Sequence, residues 1–304
     1  MISLRYHIVA IVAVFLALAV GVLVGGAFVQ PALEERLRSQ TDEVSQRNDD
    51  LRQQIDEVRA RVAATDAFVQ AALPYLTEDR LLGRSVVVVT QEGVEDAVLG
   101  EAQRSLQEAG ATVVAVISAR EEIASEDPET QARLAELLGI VGSPTDALPA
   151  LTASALAGRL ANGGDGAQPQ DDLLAQLLSA GFLAPVGSGL SESTLAEIGA
   201  DGQVVVVLGG GPDEAPVLPP EAFAAPLVDE LAALDTPVAA GESTTTLSGF
   251  VEAVRGAEGI VTVDDLDLSM GGAALVLGLD ELLSTGQGGA YGIKDGAEPL
   301  PPLP

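Results

Sequence analysis

The chain contains no cysteine and no tryptophan, a single histidine, a single lysine and two methionines. Without cysteine there are no disulfides, no thiolate nucleophile and no thiolate metal site. His7 lies at the border of the amino-terminal apolar run, so no Ser–His–Asp triad can form in the downstream domain. A Ser–Lys pair would have to use Lys294, and no serine stands at a recognisable motif spacing from it. These absences point away from an enzyme. Aromatic residues make up 3% of the chain against 47% hydrophobic residues overall, so a core must be built from Ala, Val, Leu and Ile. Positive charge is also scarce, at 15 Lys and Arg against 45 Asp and Glu, for a net charge of −30. Its distribution is uneven: residues 1–30 carry only Arg5, residues 31–63 are nearly balanced, and residues 64–304 hold a net −29. Nucleic acid is excluded as a partner, because phosphate binding needs clustered Lys and Arg. The acidity serves solubility, or adaptation to a salty medium, or attraction of cations.

What is present begins with "MISLRYHIVAIVAVFLALAVGVLVGGAFVQ", in which residues 8–29 carry no charge. At about 1.5 Å of rise per residue this run spans a bilayer core of roughly 30 Å. A signal-peptide apolar region usually has about 7–15 residues, so residues 1–30 read as an uncleaved transmembrane signal anchor, with cleavage near Gly25-Gly26-Ala27 as the alternative. Arg36, Arg38 and Arg47 follow the span and weigh against an inward amino terminus, but long domains translocate largely regardless of charge. The expected topology is single-pass in the cell membrane, with the N-terminus cytoplasmic and the C-terminal domain extracytoplasmic. Ala13, Ala17, Gly21 and Gly25 form a small-xxx-small series, a candidate face for close approach of two helices in lipid.

Residues 31–73 read as a coiled-coil helix. Leu37, Val44, Leu51 and Val58 recur every seven residues, and Ile55 and Val62 add an offset seven-spacing. Taking Leu37 as the start of the repeat puts Gln40, Arg47, Gln54 and Arg61 at the alternate core positions. A helix with so narrow an apolar stripe pairs with a copy of itself or packs on its own domain. A parallel homodimer is expected, with Leu37, Val44, Leu51 and Val58 continuing the small-residue face. Pro31 starts or kinks this helix, and Pro74 interrupts its pattern.

From residue 84 strands and helices alternate. "SVVVV" (85–89), "TVVAVIS" (112–118), "QVVVVL" (203–208), "PVAA" (237–240) and "GIVTV" (259–263) read as strands, the β-branched runs being buried on both faces. Helical stretches lie between them, the first ending at Gly110. The fold class is therefore α/β: a transmembrane helix, a coiled-coil helix, and a Rossmann- or flavodoxin-like domain with a mostly parallel sheet over residues 84–296. The Pro-rich tail, 297–304, reads as disordered or polyproline-like.

Ligands of open α/β sheets bind beyond the carboxyl ends of the strands. After 203–208 stands "GGGPDEAP", which lacks both the GxGxxG spacing and a Gly-Lys-Ser/Thr ending, so it reads as a turn rather than a phosphate loop. After 259–263 stands "DDLDLSMGG". Asp264, Asp265 and Asp267 offer hard oxygen ligands to a divalent cation, and the competing reading is helix capping and loop solvation.

The amino-terminal block, the coiled stretch, "GRSVVVVT" and "VTVDDLD…ALVLGLDELLSTGQGGAYG" together resemble, in the same order and over essentially the whole chain, the actinobacterial copper transporter family typified by mycobacterial copper transport protein B. The resemblance implies a cell-envelope membrane protein of copper transport and homeostasis, with a copper ion as its metal. In this chain the copper would be handled by carboxylate contacts, by an oligomeric pore or by a partner, since copper prefers sulfur and imidazole and Met1 and Met270 belong to no cluster. The residues alone also fit a second role, a non-enzymatic coiled-coil dimer scaffold that recruits a cell-envelope protein partner and regulates envelope or division machinery.

Overall fold

The computed structural model describes residues 4–140, 144–164, 171–187, 190–212, 215–247, 249–255 and 257–301, without the side chains of 4–5, 25–39, 41, 73–74 and 192. The chain divides into two compact units, Met1–Thr65 and Asp66–Pro304.

The first unit is helix α1 (Leu4–Thr77), whose last turns belong to the second unit. The helix continues through both Pro31 and Pro74, each of which removes one backbone donor from the ladder without ending it. Within it Tyr6–Val24 is the one stretch, among the described residues, long and apolar enough to cross a membrane. Further along, arginines are tied to acids one turn away, Arg47 to Glu43 and Arg61 to Glu57, each at 2.6 Å. Such pairs support an exposed helix by a few tenths of a kcal/mol each, on the order of 0.3–0.5.

The second unit is built on a seven-stranded sheet of β1 (Ser85–Gln91), β2 (Thr112–Ala119), β3 (Leu183–Pro185), β4 (Val204–Leu208), β5 (Val238–Gly241), β6 (Ile260–Val263) and β7 (Gly289–Tyr291). The strand order is β3-β2-β1-β4-β5-β6-β7. All neighbours are parallel except β3, which runs antiparallel to β2. The order reverses between β1 and β4, where the chain leaves one half of the sheet to begin the other. The five strands expected from sequence are present. The two edge strands, of three residues each, are additions, being too short to show a period.

Helices α2 (Asp96–Glu108) and α9 (Ser269–Thr285) cover one face. The other carries α3 (Pro128–Leu137), α4 (Leu148–Asn162), α5 (Leu173–Ser179), α7 (Ala224–Ala233) and α8 (Phe250–Val254), with the short α6 (Glu192–Glu197) between β3 and β4. Strand alternation assigns the valines of β1: Val87 and Val89 join Phe182, Phe223 and Phe250 on the second face, while Val86 and Val88 meet Leu275 and Leu279 of α9 on the first. Three phenylalanines thus anchor one layer, and the other is almost wholly aliphatic. The turn from α2 into β2 needs a left-handed residue, and Gly110 supplies it at φ 83°. Residues 297–301, expected to be disordered or polyproline-like, are joined to β7 through Glu298. There the Glu298 N–H donates to Ala290 O at 2.8 Å, the Gly292 N–H donates to Glu298 O at 2.8 Å, and Pro301 is buried. The rest of the expected tail, 302–304, lies outside the described residues.

Candidate functional site

The acidic loop after β6 lies at the carboxyl edge of the sheet, where β5, β6 and β7 all end. Each strand delivers ionisable groups there: Glu242 follows β5, Asp264 and Asp265 follow β6, and Lys294 follows β7. Asp264 is fully buried. It is paired with the Arg255 guanidinium and accepts the N–H groups of Ile293 at 2.7 Å and Lys294 at 3.1 Å. Asp267 accepts both the N–H of Thr244 at 2.7 Å and its hydroxyl at 2.8 Å, which ties the β6 loop to the β5 loop. Glu242 binds the Lys294 ammonium at 2.8 Å and accepts the N–H of Val251 in the first turn of α8 at 2.9 Å. The Lys294 ammonium also donates to Ser243 O at 3.2 Å. The single lysine of the chain is thereby held in an ion pair that joins the β7 end to the β5 loop.

Asp265 differs from its neighbours. It has no exposed surface, and neither carboxylate oxygen has a hydrogen-bond partner. Burial, reinforced by the negative charges of Asp264 and Asp267, pushes its pKa up to about 7. Gly271, in the first turn of α9, lies so close that a Cβ there would run into the Asp265 carbonyl.

The three aspartates are close in sequence, but Asp264 and Asp267 are tied to different partners and Asp265 to none, so their carboxylates do not form a ligand set. Among the described residues no group of three His, Cys, Asp or Glu side chains could hold a metal ion. Helix capping also plays little part here, since α9 is preceded by Leu268 with no side-chain cap. What Asp264 and Asp267 do is bind loop to loop, through partners 9 to 30 positions away in the chain.

A second feature lies where the strand order reverses. A cleft of about 200 Å³ between the ends of β1 and β4 is lined by Gln91, Glu92, Gly93, Glu121, Gly210, Gly211 and residues 215–218, with Pro220 at its rim. The Gln91 amide N–H donates to Leu218 O at 3.3 Å, and its buried carbonyl oxygen has no partner. Sequence reasoning passed over Gln91. The one available signal was a glutamine closing a strand of buried valines. The glycine-rich stretch after β4 forms one wall of this cleft, while its Asp213 and Glu214 lie outside the described residues.

The residues expected to pair chains lie on α1. Ala13, Ala17 and Gly21 fall within the Tyr6–Val24 stretch, and a Cβ on Gly21 would meet nothing within 4 Å. The side chains of Gly25 and Leu37 lie outside the described residues. Val44, Leu51 and Val58 are all more than half exposed.

The family described as copper transport outer membrane protein, MctB, matches residues 1–302. The chain is 28% identical over 321 residues to copper transporter MctB of Mycobacterium tuberculosis, with 98% of each chain covered. It is 29% identical over 324 residues to copper transporter MctB of Mycobacterium leprae, again with 98% of each covered.

Proposed function

The chain belongs to the family of copper transport outer membrane proteins described as MctB, and on that premise we propose that it is a membrane-anchored, non-enzymatic component of copper transport and homeostasis in the cell envelope. The match over residues 1–302 carries this reading, because it takes in the apolar span and the α/β domain alike. In this reading Tyr6–Val24 is the anchor, the amino terminus is cytoplasmic, and the acidic domain is extracytoplasmic. The strand order, reversing between β1 and β4, supports a Rossmann-like description of that domain.

Copper is the cargo. It prefers thiolate, thioether and imidazole donors, and the chain has no cysteine, one histidine and two methionines. Met270 stands at the start of α9, and of the carboxylates that precede it Asp264 is engaged by Arg255 and Asp267 by Thr244, while Asp265 has no partner. Transfer therefore uses weak carboxylate contacts, an assembly of several chains, or a partner protein that supplies soft ligands.

Deleting the gene tests the proposal: cellular copper content and copper tolerance both change, and the full chain restores them. Unchanged content and tolerance overturn it. The engagement of Asp264 and Asp267, together with the exposed apolar stripe on α1, favours a second reading, a scaffold for envelope machinery. Copper titration of the purified full chain separates the two, since stoichiometric binding argues for cargo handling. No binding, combined with normal tolerance in the deletion strain, argues for the scaffold.

A further inference from the structure

The apolar stripe of α1 has a second phase in which its spacing alternates between four and three residues. Val44, Leu51 and Val58 then occupy one core position of a heptad, and Asn48, Ile55 and Val62 occupy the other. This phase fills five of six consecutive core positions with apolar side chains, whereas starting the repeat at Leu37 put Gln54 and Arg61 in the core. Ile55 and Val62 at the a positions with Leu51 at d match the two-stranded pattern, Val44 and Val58 at d add nothing to that preference, and the number of strands is set by Asn48 at the remaining a position. Val44, Leu51, Ile55, Val58 and Val62 are each about half exposed or more, so the stripe is uncovered along its length.

The arginines on either side of the stripe agree with a second copy as its partner. Arg47 and Arg61 are held by Glu43 and Glu57 on their own helix, and Arg52 and Arg59 lie 3.7 and 3.8 Å from Asp49 and Asp56. Each flanking cation thus carries its own counter-charge and needs no acidic partner chain. Two copies anchored through the apolar span that precedes the stripe also leave the membrane in the same direction.

We propose that a second copy of this chain covers the stripe as a parallel, two-stranded coiled coil, and that Asn48 sets its register by facing Asn48 of the second copy. A buried asparagine is satisfied only by its own counterpart. A slip of one heptad places it against Ile55 of the other copy, where its amide loses its partner, and a third strand leaves one amide short. The asparagine thus lowers stability and in return fixes alignment and number. The parallel sense rests on the anchor reading above; the pairing itself does not depend on copper.

The absence of native cysteine makes the test direct. In the full chain, in membranes, Leu51→Cys is expected to give a disulfide-linked dimer under mild oxidation. Gln53→Cys, on the opposite side of the helix, is expected to stay monomeric. Equal cross-linking at both positions, or none at Leu51→Cys, overturns the interface. For register, a Leu51→Cys chain is co-expressed with a differently sized Val58→Cys chain. No mixed dimer forms when Asn48 is present, and one appears when both chains also carry Asn48→Val. A mixed dimer with Asn48 in place, or none after Asn48→Val, overturns the role of the asparagine. Copper tolerance of a deletion strain is scored separately, so failure of the pairing and failure of the copper reading are told apart.

Discussion

At the scale of single residues, Asp265 is a carboxyl buried without a hydrogen-bond partner. Its folded-state pKa, near 7, lies above the ordinary carboxylate value of 3.8. The folded protein therefore binds more protons than the unfolded chain between about pH 4 and pH 7. Asp265 leaves stability intact below pH 4, withdraws it progressively as pH rises through 7, and costs on the order of a few kcal/mol above that. Asp265→Asn keeps the shape and removes the charge. It is expected to raise the melting temperature at pH 8 more than at pH 5, and an equal change at both values refutes the account. Arg159 is the contrasting case, a buried cation with every partner in place. It binds Asp172 at 2.7 Å and donates to Ile198 O at 2.8 Å and Leu195 O at 2.9 Å, fastening α4 to the residues before α5 and at the end of α6. Arg159→Ala strands Asp172 and is expected to lower stability by about 3–5 kcal/mol. Adding Asp172→Asn, which still caps α5, recovers part of that loss in denaturant unfolding. The acidic residues at the sheet edge were legible in the sequence as a triplet, but their work was not. Arg255, Thr244 and Lys294 reach them only once β5, β6 and β7 stand side by side in register. Gln91 went unseen for the same reason, since its importance comes from where β4 lies.

At the scale of elements, composition and period carried far. The valine runs of β1 and β4 are buried on both faces as their lack of alternation required, and the helix after β1 ends where Gly110 allows a left-handed turn. Edge strands of three residues give no period to read, and β3 turns antiparallel through tertiary pairing alone. Two helical glycines show how context decides the effect of one substitution. In α9, a Cβ on Gly278 would lie 2.8 Å from Val261 Cγ1 and 2.9 Å from the Tyr291 ring, because the helix rests directly on β6 and β7. Gly278→Val is expected to cost about 1–3 kcal/mol through overpacking. In α4, Gly158 has nothing within 4 Å of that position. Gly158→Ala is expected to stabilise by roughly 0.5–1 kcal/mol through helix propensity alone. Thermal unfolding of the two variants side by side checks both signs, and a loss of stability in each refutes the distinction.

For the whole molecule, the sequence announced the α/β fold class, with an apolar amino-terminal helix and a mostly parallel sheet, and the family match extends over both. What composition could not supply is how copper is handled, since the donors that would announce it are missing. The bridge that Glu298 makes to β7 has a bearing on how the domains of paired chains meet. Pairing of chains through α1 would hold two domains at the high effective concentration of a tether, the condition under which bare strand edges recruit one another into growing aggregates. Here one rim of the sheet, β7, is bridged by the chain's own Glu298, and the other is a strand of only three residues. At that rim the Ala290 carbonyl and the Gly292 N–H are already bonded to Glu298, so neither is open to the strand of a neighbouring domain.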